Sequence, residues 1–392
     1  MTEPASRPTA RPLKGVRVLD FATTIAGPYC ARLLSDIGAD VIKVESLEGD
    51  MMRARPPIHG GASRNFGQLN TGKRSIALDL KSETARKAVR ALIENADILV
   101  ENFRPGVMKR FGLDYATVRE WNPRLIYCSI SGFGQTGPSA DRPAYAPVIH
   151  ATSGYDMAHL NYQPGRERPD YCGIYVADVL SGTYAFGAVM TAVCQRHETG
   201  RGQHIDLSML EAMLALPLLE VQGAQFGMPP QPSRPIFGPV ETSDGYINIA
   251  VASERTYLGL VKAAGRADWL EDPRFKAYPD RRRNWGELMD EFEEWSRTKT
   301  TPECLAILDE NNVPATTYRT VAEAMADPQL AHREAFQEVH DAGGTFKVVN
   351  PPYKMSEANT TVAPYVSALG EHTREILAEA GLSPEEIEAL SS

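Results

Sequence analysis

Short apolar runs alternate with segments of helical spacing along the first third of the chain. The run VRVLDF begins at Val16 and is typical of a buried strand. The turn TTIAGP, the amphipathic segment YCARLLSDIGA and a second apolar run, DVIKVE, follow it and complete a βαβ unit. The segments KAVRALIENA and YATVREWN similarly lead into the runs DILVEN and LIYCSIS. This alternation predicts a doubly wound, Rossmann-like α/β domain whose parallel sheet is covered by helices on both faces.

The later part of the chain predicts a smaller α+β domain. The segment GMPPQPSRPIFGP, around residues 229–239, is dense in Pro and Gly and has the composition of a linker. Beyond it, the strand-like run ETSDGYINIAV is followed by several helical segments. The predicted boundaries are 1–225 for the large domain, 238–318 for the small domain, and 330–392 for a segment that returns to the large domain.

Composition narrows the classes of partner. With 392 residues and 43% hydrophobic content, the chain can bury the cores of two domains. A net charge of -9 disfavours a broad surface for nucleic acid, although a local cluster of cations can still bind a phosphorylated molecule. The five cysteines form no CxxC pair. Neither a signal peptide nor an apolar stretch of membrane-spanning length is recognised, so we expect a cytoplasmic protein without a membrane partner.

Several cations lie near the ends of predicted strands. Single Lys and Arg residues are usually solvated surface charges, but a group of them beside amide side chains favours an anionic ligand with several phosphates. The group consists of Lys43, Lys73, Arg74, Arg104, Lys109 and Arg110, together with Asn70 and Asn102.

Common catalytic and nucleotide motifs do not occur. The first turn has only Gly27, followed by Pro28, and lacks the G-x-G-x-x-G of dinucleotide sites, although Glu45 ends the second strand where an acid could bind a ribose. No H-E-x-x-H or G-x-S-x-G motif is present. The loop SGFGQTGP lacks the Lys-Ser/Thr ending of a P-loop. We therefore predict no metal site, serine hydrolase or nicotinamide enzyme.

Asp178 stands at the start of a long segment of small and apolar residues, YVADVLSGTYAFGAVMTAV. One interpretation is a helix cap, since Asp often accepts hydrogen bonds from the first turn of a helix. The other is a catalytic carboxylate. The two roles are compatible, because the same backbone amides can cap the resting side chain and stabilise an oxyanion.

The ordered set of motifs GVRVLDF…AGP, GADVIKVE, LNTGKRSIALDL, ADILVENFRPGVM, SISGFGQTGP, AYAP…ATSG, ADVLSGTYA and GRGQHIDLSMLEAM resembles the class III coenzyme A transferases, the formyl-CoA:oxalate and carnitine type. The resemblance covers nearly the whole chain. It implies that Asp178 is a nucleophile that carries CoA as an aspartyl-CoA thioester. A carboxylate suits this role because it is ionised at neutral pH and needs no general base.

Further roles follow from the same resemblance, position by position. It implies CoA-binding roles for Ala26, Asn70, Lys73, Asn102, Phe103 and Arg110. It implies active-site or substrate roles for Tyr145, Thr23 and Ile25, the last two in place of the His and Gln of the formyl-CoA type. The substrates implied are an acyl-CoA and a small carboxylic acid, with no permanently bound cofactor. The expected assembly is a homodimer of two interlocked rings with active sites between domains.

Two other functions stay open at this stage. One is a 2-methylacyl-CoA racemase, which the sequence disfavours because Tyr145 stands where the racemases show His, and His150 lies outside that position. The other is a non-catalytic protein that binds CoA esters. The acid substrate is undetermined: an arginine near the site could bind the second carboxylate of a dicarboxylic acid, or could simply be exposed. The candidates are Arg142, Arg166 and Arg168.

Overall fold

A computed structural model describes residues 9–163, 165–169, 172–227, 234 and 236–391. The described residues form two compact units. The first contains the residues up to 155, those from 172 to 216 and those from 328 onward, and the second contains those from 156 to 169 and from 217 to 327.

Parallel and antiparallel sheets are formed by the strands β1 (Arg17–Asp20), β2 (Asp40–Glu45), β3 (Ile58–His59), β4 (Ala62–Ser63), β5 (Arg74–Ala77), β6 (Ile98–Glu101), β7 (Ile126–Ser131), β8 (His204–Ser208), β9 (Pro239–Glu241), β10 (Tyr246–Ile249), β11 (Ala315–Thr317), β12 (Phe336–Asp341) and β13 (Gly344–Val349).

The α-helices are α1 (Ala26–Asp36), α2 (Arg64–Asn70), α3 (Glu83–Glu94), α4 (Val107–Arg110), α5 (Tyr115–Trp121), α6 (Ala146–Thr152), α7 (Tyr155–Leu160), α8 (Val176–Thr199), α9 (Met209–Leu214), α10 (Leu218–Phe226), α11 (Glu254–Ala264), α12 (Tyr278–Arg283), α13 (Trp285–Ser296), α14 (Thr301–Glu310), α15 (Val321–Met325), α16 (Pro328–His332), α17 (Thr373–Glu379) and α18 (Pro384–Ser391). Short 3₁₀ helices span Met51–Ala54 and Ala267–Leu270.

A six-stranded parallel sheet organises the first unit, in the order β5-β2-β1-β6-β7-β8. Val18 in β1 pairs with Val41 on one side and with Ile98 on the other. The predicted α/β fold with a parallel central sheet is confirmed. The order in which successive strands are added reverses between β1 and β6, and ligands of such sheets bind beyond the carboxyl ends of the strands at this position.

Successive side chains along a strand of this sheet point to opposite faces and pack in two different hydrophobic cores. Val18 packs on the face covered by α1, α6 and α8, whereas Leu19 packs on the face covered by α3, α5 and α17. Helix α3 shows why these helices form, since Ser82 caps its first turn. Its buried residues are all apolar and recur every three or four positions: Ala85, Ala88, Val89, Leu92 and Ile93.

The second unit is built around an antiparallel three-stranded sheet, in the order β11-β10-β9, and the helices α11 to α14. Its core contains the buried aromatic rings of Trp269, Phe275 and Phe292. The division differs from the predicted boundary at residue 225, because α10 and residues 156–169 belong to the second unit. Pro and Gly content marks turns but does not indicate which core a helix joins. Within the predicted linker, residues 228–233 and 235 lie outside the described residues.

Helix α8 is the longest of the described helices. Its 24 residues are also long and apolar enough to cross a membrane, a property that our sequence analysis missed. This is weak evidence for a membrane, because core helices of globular proteins meet the same criteria. One side of α8, including Ala185 and Val189, is fully buried in the first core. Gly200, in the left-handed conformation, ends the helix.

Candidate active site

The turn from β1 to α1 occupies the point where strand order reverses. It contains the predicted residues Thr23, Ile25 and Ala26. Asn102, just after β6, forms two hydrogen bonds with the Thr23 backbone: its Oδ1 accepts from the Thr23 N–H at 2.8 Å, and its Nδ2 donates to the Thr23 carbonyl at 2.8 Å. A Cβ on Gly27 would lie 2.2 Å from that of Ala22, so only glycine fits this close approach. The structure thus brings four predicted residues together.

Lys73 and Asn70 lie beneath this turn and are almost completely buried. The Lys73 ammonium donates to Asp20 Oδ2 at 2.8 Å, to the Pro28 carbonyl at 2.8 Å and to Asn70 Oδ1 at 2.9 Å. Burial lowers the pKa of Lys73 to about 8. All three of its N–H groups are engaged inside the protein, so a direct contact with a phosphate would break one of these bonds. The predicted contact of both residues with CoA stays a prediction.

The segment that follows β6 carries exposed cations. Phe103 donates its backbone N–H to Glu101 at 2.9 Å and packs its ring against the second core. Arg104, Lys109 and Arg110 are exposed, and within the described part of the chain none of them has an ion pair. Three uncompensated cations on one short segment suit the phosphates of CoA, the ligand predicted for Arg110.

Asp178 lies in the first turn of α8, and its side chain is partly buried. No described residue donates a hydrogen bond to its carboxylate. Burial raises the pKa of Asp178 to about 6. One turn further on, a Cβ on Gly182 would lie 2.6 Å from the Ala26 carbonyl oxygen, so α8 and the start of α1 pack backbone to backbone. Asp178 is therefore a partly desolvated carboxylate on the helix that packs against the β1–α1 turn.

A comparison of the sequence with protein-family models gives a match to CoA-transferase family III over residues 13–373. The chain belongs to this family. The resemblance found in the sequence motifs is confirmed, and with it the prediction of an enzyme that transfers CoA.

Relatives of this CoA-transferase match along most of their length. The succinate–glutarate CoA-transferase of Agrobacterium fabrum is 34% identical, over 94% of this chain and 95% of that protein. The succinyl-CoA:mesaconate CoA-transferase of Haloarcula hispanica is 34% identical, over 94% and 96% of the two chains. The human succinyl-CoA:glutarate CoA-transferase is 31% identical, over 94% and 86%. All three are named for the transfer of CoA between carboxylic acids.

Solved structures agree with the fold of this CoA-transferase. A CaiB/BaiF family protein from Brucella suis has a TM-score of 0.83 and 34% identity, covering 95% of this chain and 100% of the other. A hypothetical protein from Mycobacterium tuberculosis has a TM-score of 0.84 and 30% identity, with the same coverage.

His150 is a residue of this CoA-transferase that our sequence analysis did not assign to the site. It is 2% exposed, and its Nε2 accepts a hydrogen bond from the Ala177 backbone N–H at 3.0 Å. The acceptor nitrogen must carry no proton. This bond fixes the peptide between Val176 and Ala177, one residue before Asp178, and satisfies one of the free N–H groups at the start of α8. No motif in the sequence indicated the contact, because it joins residues 27 positions apart.

Tyr145 and the three candidate arginines are divided between the two units of this CoA-transferase. Tyr145 precedes α6 in the first unit and is 63% exposed. Arg142 belongs to the same unit, with its guanidinium 5.0 Å from the centre of the Phe133 ring. Arg166 and Arg168 are exposed and belong to the second unit. Only Arg142 among the three shares a unit with Asp178.

Glu101 is a second residue that the sequence analysis left without a role. It is 3% exposed at the end of β6, between the Phe103 N–H and Ser129. Burial raises its pKa to about 7, although hydrogen bonds from Ser129 and Phe103 oppose the shift. Ser129 in turn lies 3.0 Å from Nε2 of His204. A titrating acid therefore lies directly before the predicted CoA residues Asn102 and Phe103.

No group of three or more His, Cys, Asp or Glu side chains among the described residues could hold a metal ion. The cysteines are all free thiols.

Proposed function

We propose that this enzyme transfers CoA between two dicarboxylic acids, with succinyl-CoA as a donor, through a covalent aspartyl-CoA thioester on Asp178. The observation that carries the choice of acids is the set of relatives, 31–34% identical over 94% of this chain, whose names pair succinyl groups with glutarate or mesaconate. The partly buried Asp178 carboxylate at the start of α8 supports the covalent route.

The reaction balances without an external acid, base or cofactor. An Asp178 oxygen attacks the thioester carbonyl and the C–S bond breaks. CoA departs as a thiolate, and a mixed anhydride forms between Asp178 and the acyl group. The thiolate then attacks the Asp178 carbonyl, which releases the donor acid as a carboxylate and leaves the aspartyl-CoA thioester. The acceptor carboxylate attacks this thioester to form a second anhydride and thiolate. Thiolate attack on the acceptor carbonyl forms the new acyl-CoA and restores Asp178.

The electrostatics of Asp178 suit both directions of this cycle. Partial desolvation raises the pKa of its carboxyl group to about 6, so the group is mostly ionised at neutral pH while its attacking oxygen is less hydrated than that of an exposed carboxylate. No described residue donates a hydrogen bond to the Asp178 carboxylate, so no such bond has to break before the carboxylate attacks. Exclusion of water would protect the anhydride and the thioester from hydrolysis.

Binding roles follow from charge. Arg104, Lys109 and Arg110 would hold CoA phosphates, and Asn102 would keep the β1–α1 turn in place beside the thioester. Arg142 is our candidate for the second carboxylate of the acid, because its guanidinium is exposed and the Phe133 ring restricts its orientation. The proposal includes a cytoplasmic homodimer with interlocked subunits.

The test is peptide mass mapping after incubation with succinyl-CoA, with borohydride added to reduce an activated Asp178 side chain to homoserine. Modification of the Asp178 peptide in the wild type, and none in Asp178→Asn, is expected. Unmodified Asp178 in an enzyme that still transfers CoA would refute the covalent route.

The choice of acids is tested separately by comparing glutarate with pentanoate, which has the same chain length and one carboxylate. A much higher kcat/KM for glutarate is expected, and its loss in Arg142→Gln would assign the second carboxylate to Arg142. Equal kcat/KM for the two acids would refute the dicarboxylate proposal. Exchange of the α-proton without CoA transfer would instead favour a racemase.

A further inference from the structure

Four charged side chains form a buried group beneath the β1–α1 turn. Asp20, Lys43, Asp50 and Lys73 are 0%, 1%, 3% and 3% exposed. They form two ion pairs: Lys73 with Asp20 at 2.8 Å and Lys43 with Asp50 at 3.0 Å. We call these four residues the turn clamp. Buried ion pairs contribute little net stability compared with apolar residues of similar volume, so their presence calls for another explanation.

The turn clamp bonds to the backbone of the turn at several points. The Lys43 ammonium donates to the Ala22 carbonyl at 2.9 Å, and Asp20 Oδ1 accepts from the Ala22 N–H at 3.0 Å. Lys73 donates to the Pro28 carbonyl at 2.8 Å. The Asp50 carboxylate accepts from the Thr24 N–H at 3.3 Å. The ionic groups thus hold both ends and the centre of residues 22–28.

Thr24, at the centre of the turn, has an unfavourable backbone conformation. Its φ is +69°, in the left-handed region that β-branched residues rarely adopt. Such a conformation persists only where the surrounding contacts enforce it, and it is frequent at functional sites. Thr24 lies between Thr23 and Ile25, two of the residues predicted to face the substrate. The bond to Asp50, which Lys43 in turn orients, is the contact that holds the Thr24 amide.

We propose that Lys43 and Asp50 are positioning residues for CoA transfer. The pair keeps Thr24 in its strained conformation, and the turn thereby keeps residues 23–26 against the helix that carries Asp178. This inference rests on the proposed role of Asp178. Neither side chain has to contact the substrate, since both act through the turn backbone. Their removal should therefore slow the chemical steps more than it weakens CoA binding.

The first experiment replaces the pair by apolar residues, Lys43→Met with Asp50→Leu, and measures kcat and the Kd of CoA. We expect kcat to fall by about tenfold to a hundredfold while Kd changes by less than about threefold, because small displacements at a reacting centre cost rate. The matched control is Arg32→Met with Asp36→Leu, an equally buried pair with no described hydrogen bond to residues 22–25. Equal kcat in the two double variants would overturn the proposal.

A milder variant guards against misfolding. Asp50→Asn keeps the shape of the side chain and removes its charge. A second substitution, Thr24→Gly, tests the strain directly, because glycine adopts positive φ without a steric cost. We expect Thr24→Gly to restore part of the kcat lost in Asp50→Asn, and the control Thr24→Ala, which lacks the β-branch but keeps a Cβ, to restore less than glycine. Unchanged kcat in Asp50→Asn, or no recovery with glycine, would overturn the proposal.

These outcomes are distinguishable from failure of the proposed function. If borohydride trapping never modifies Asp178 in the wild type, the covalent route fails whatever the turn-clamp variants do. If trapping succeeds in the wild type but the turn-clamp variants are trapped at the wild-type rate, the positioning role fails alone.

Discussion

A carboxylate that attacks a thioester must be charged, yet burial makes its charge unfavourable. Asp178 meets both conditions in part, because burial raises its pKa to about 6 and leaves it mostly ionised at pH 7. Water would solvate a fully exposed carboxylate and weaken it as a nucleophile, while a fully buried one would be protonated. The side chain lies between these extremes, and under the proposed covalent route its pKa sets the pH range of the reaction.

This balance predicts a pH dependence for the free enzyme. Since only the ionised form of Asp178 attacks, kcat/KM for succinyl-CoA should be constant above about pH 7 and fall about tenfold per unit well below pH 6. The measurement is a pH profile between 5 and 8.5, with CoA binding followed over the same range as a control. A flat profile down to pH 5 would contradict the prediction.

His150, unlike Asp178, could not be recognised from a sequence motif. No motif indicated it, since its role comes from a hydrogen bond to the Ala177 N–H that exists only once α6 and α8 have packed. The motif match suggested Asp178 directly, because the proposed nucleophile and its neighbours are contiguous in the chain. Residues that support the site through the backbone leave no such pattern, and the same holds for Asp50 and Thr24.

Replacing His150 by Phe should keep the ring contact with Tyr155 and leave the Ala177 N–H without an acceptor. We expect a loss of about 1–3 kcal/mol in the free energy of unfolding, the usual cost of a buried unsatisfied donor. We also expect a lower kcat with little change in the Kd of CoA. Denaturant unfolding and steady-state kinetics check both, and His150→Gln, which can still accept the bond, should recover part of each loss. A wild-type kcat in His150→Phe would contradict this role.

At the scale of elements, α1 and α8 pack closely because small residues occupy their contact. The sequence shows that the segment forming α8 is rich in small residues, among them Gly182. It could not show which glycine touches α1, because small residues occur on both sides of α8. The structure separates them: a Cβ on Gly182 would meet the Ala26 carbonyl oxygen, whereas a Cβ on Gly187 would meet nothing within 4 Å.

The two glycines therefore predict opposite effects of the same substitution. Gly182→Ala should force α8 away from the β1–α1 turn, destabilise the protein by about 1–3 kcal/mol and reduce kcat. Gly187→Ala should raise stability by about 0.5–1 kcal/mol, because alanine lowers the backbone entropy of the unfolded chain, and should leave kcat unchanged. Thermal unfolding and kinetics of the two variants check the contrast. Equal effects would show that the close contact is unimportant.

For the whole molecule, periodicity predicted the parallel sheet well. Strands such as Ile98–Glu101 and Ile126–Ser131 are buried on both faces and appear as mostly apolar runs without strict alternation. The division into units was harder to predict, because residues 156–169 have no pattern of their own and belong to the second unit through contacts with distant residues. Buried charges such as Lys43 and Lys73 were also unpredictable, since a lysine in a strand or turn is usually exposed.

Glu101, at the end of β6, makes the stability of the folded protein depend on pH. Its pKa of about 7 in the folded protein exceeds the ordinary value for Glu, so the folded state binds more protons than the unfolded state between about pH 4.5 and 7. Its contribution therefore makes the protein more stable as pH falls through this range. Asp206 strengthens the shift by repulsion, whereas His204, whose pKa burial lowers, changes stability in the opposite direction.

Because His204 opposes Glu101, the test compares wild type with Glu101→Gln, in which the side-chain oxygen can still accept from the Phe103 N–H and the carboxyl proton is gone. The difference in unfolding free energy, wild type minus variant, should rise by about 1–3 kcal/mol as pH falls from 8 to 5.5. Urea unfolding at several pH values measures this difference. The contribution of His204 cancels in the difference because both proteins contain His204. A difference independent of pH would mean that Glu101 is ionised in the folded protein, with hydrogen bonds from Phe103 and Ser129 offsetting its burial.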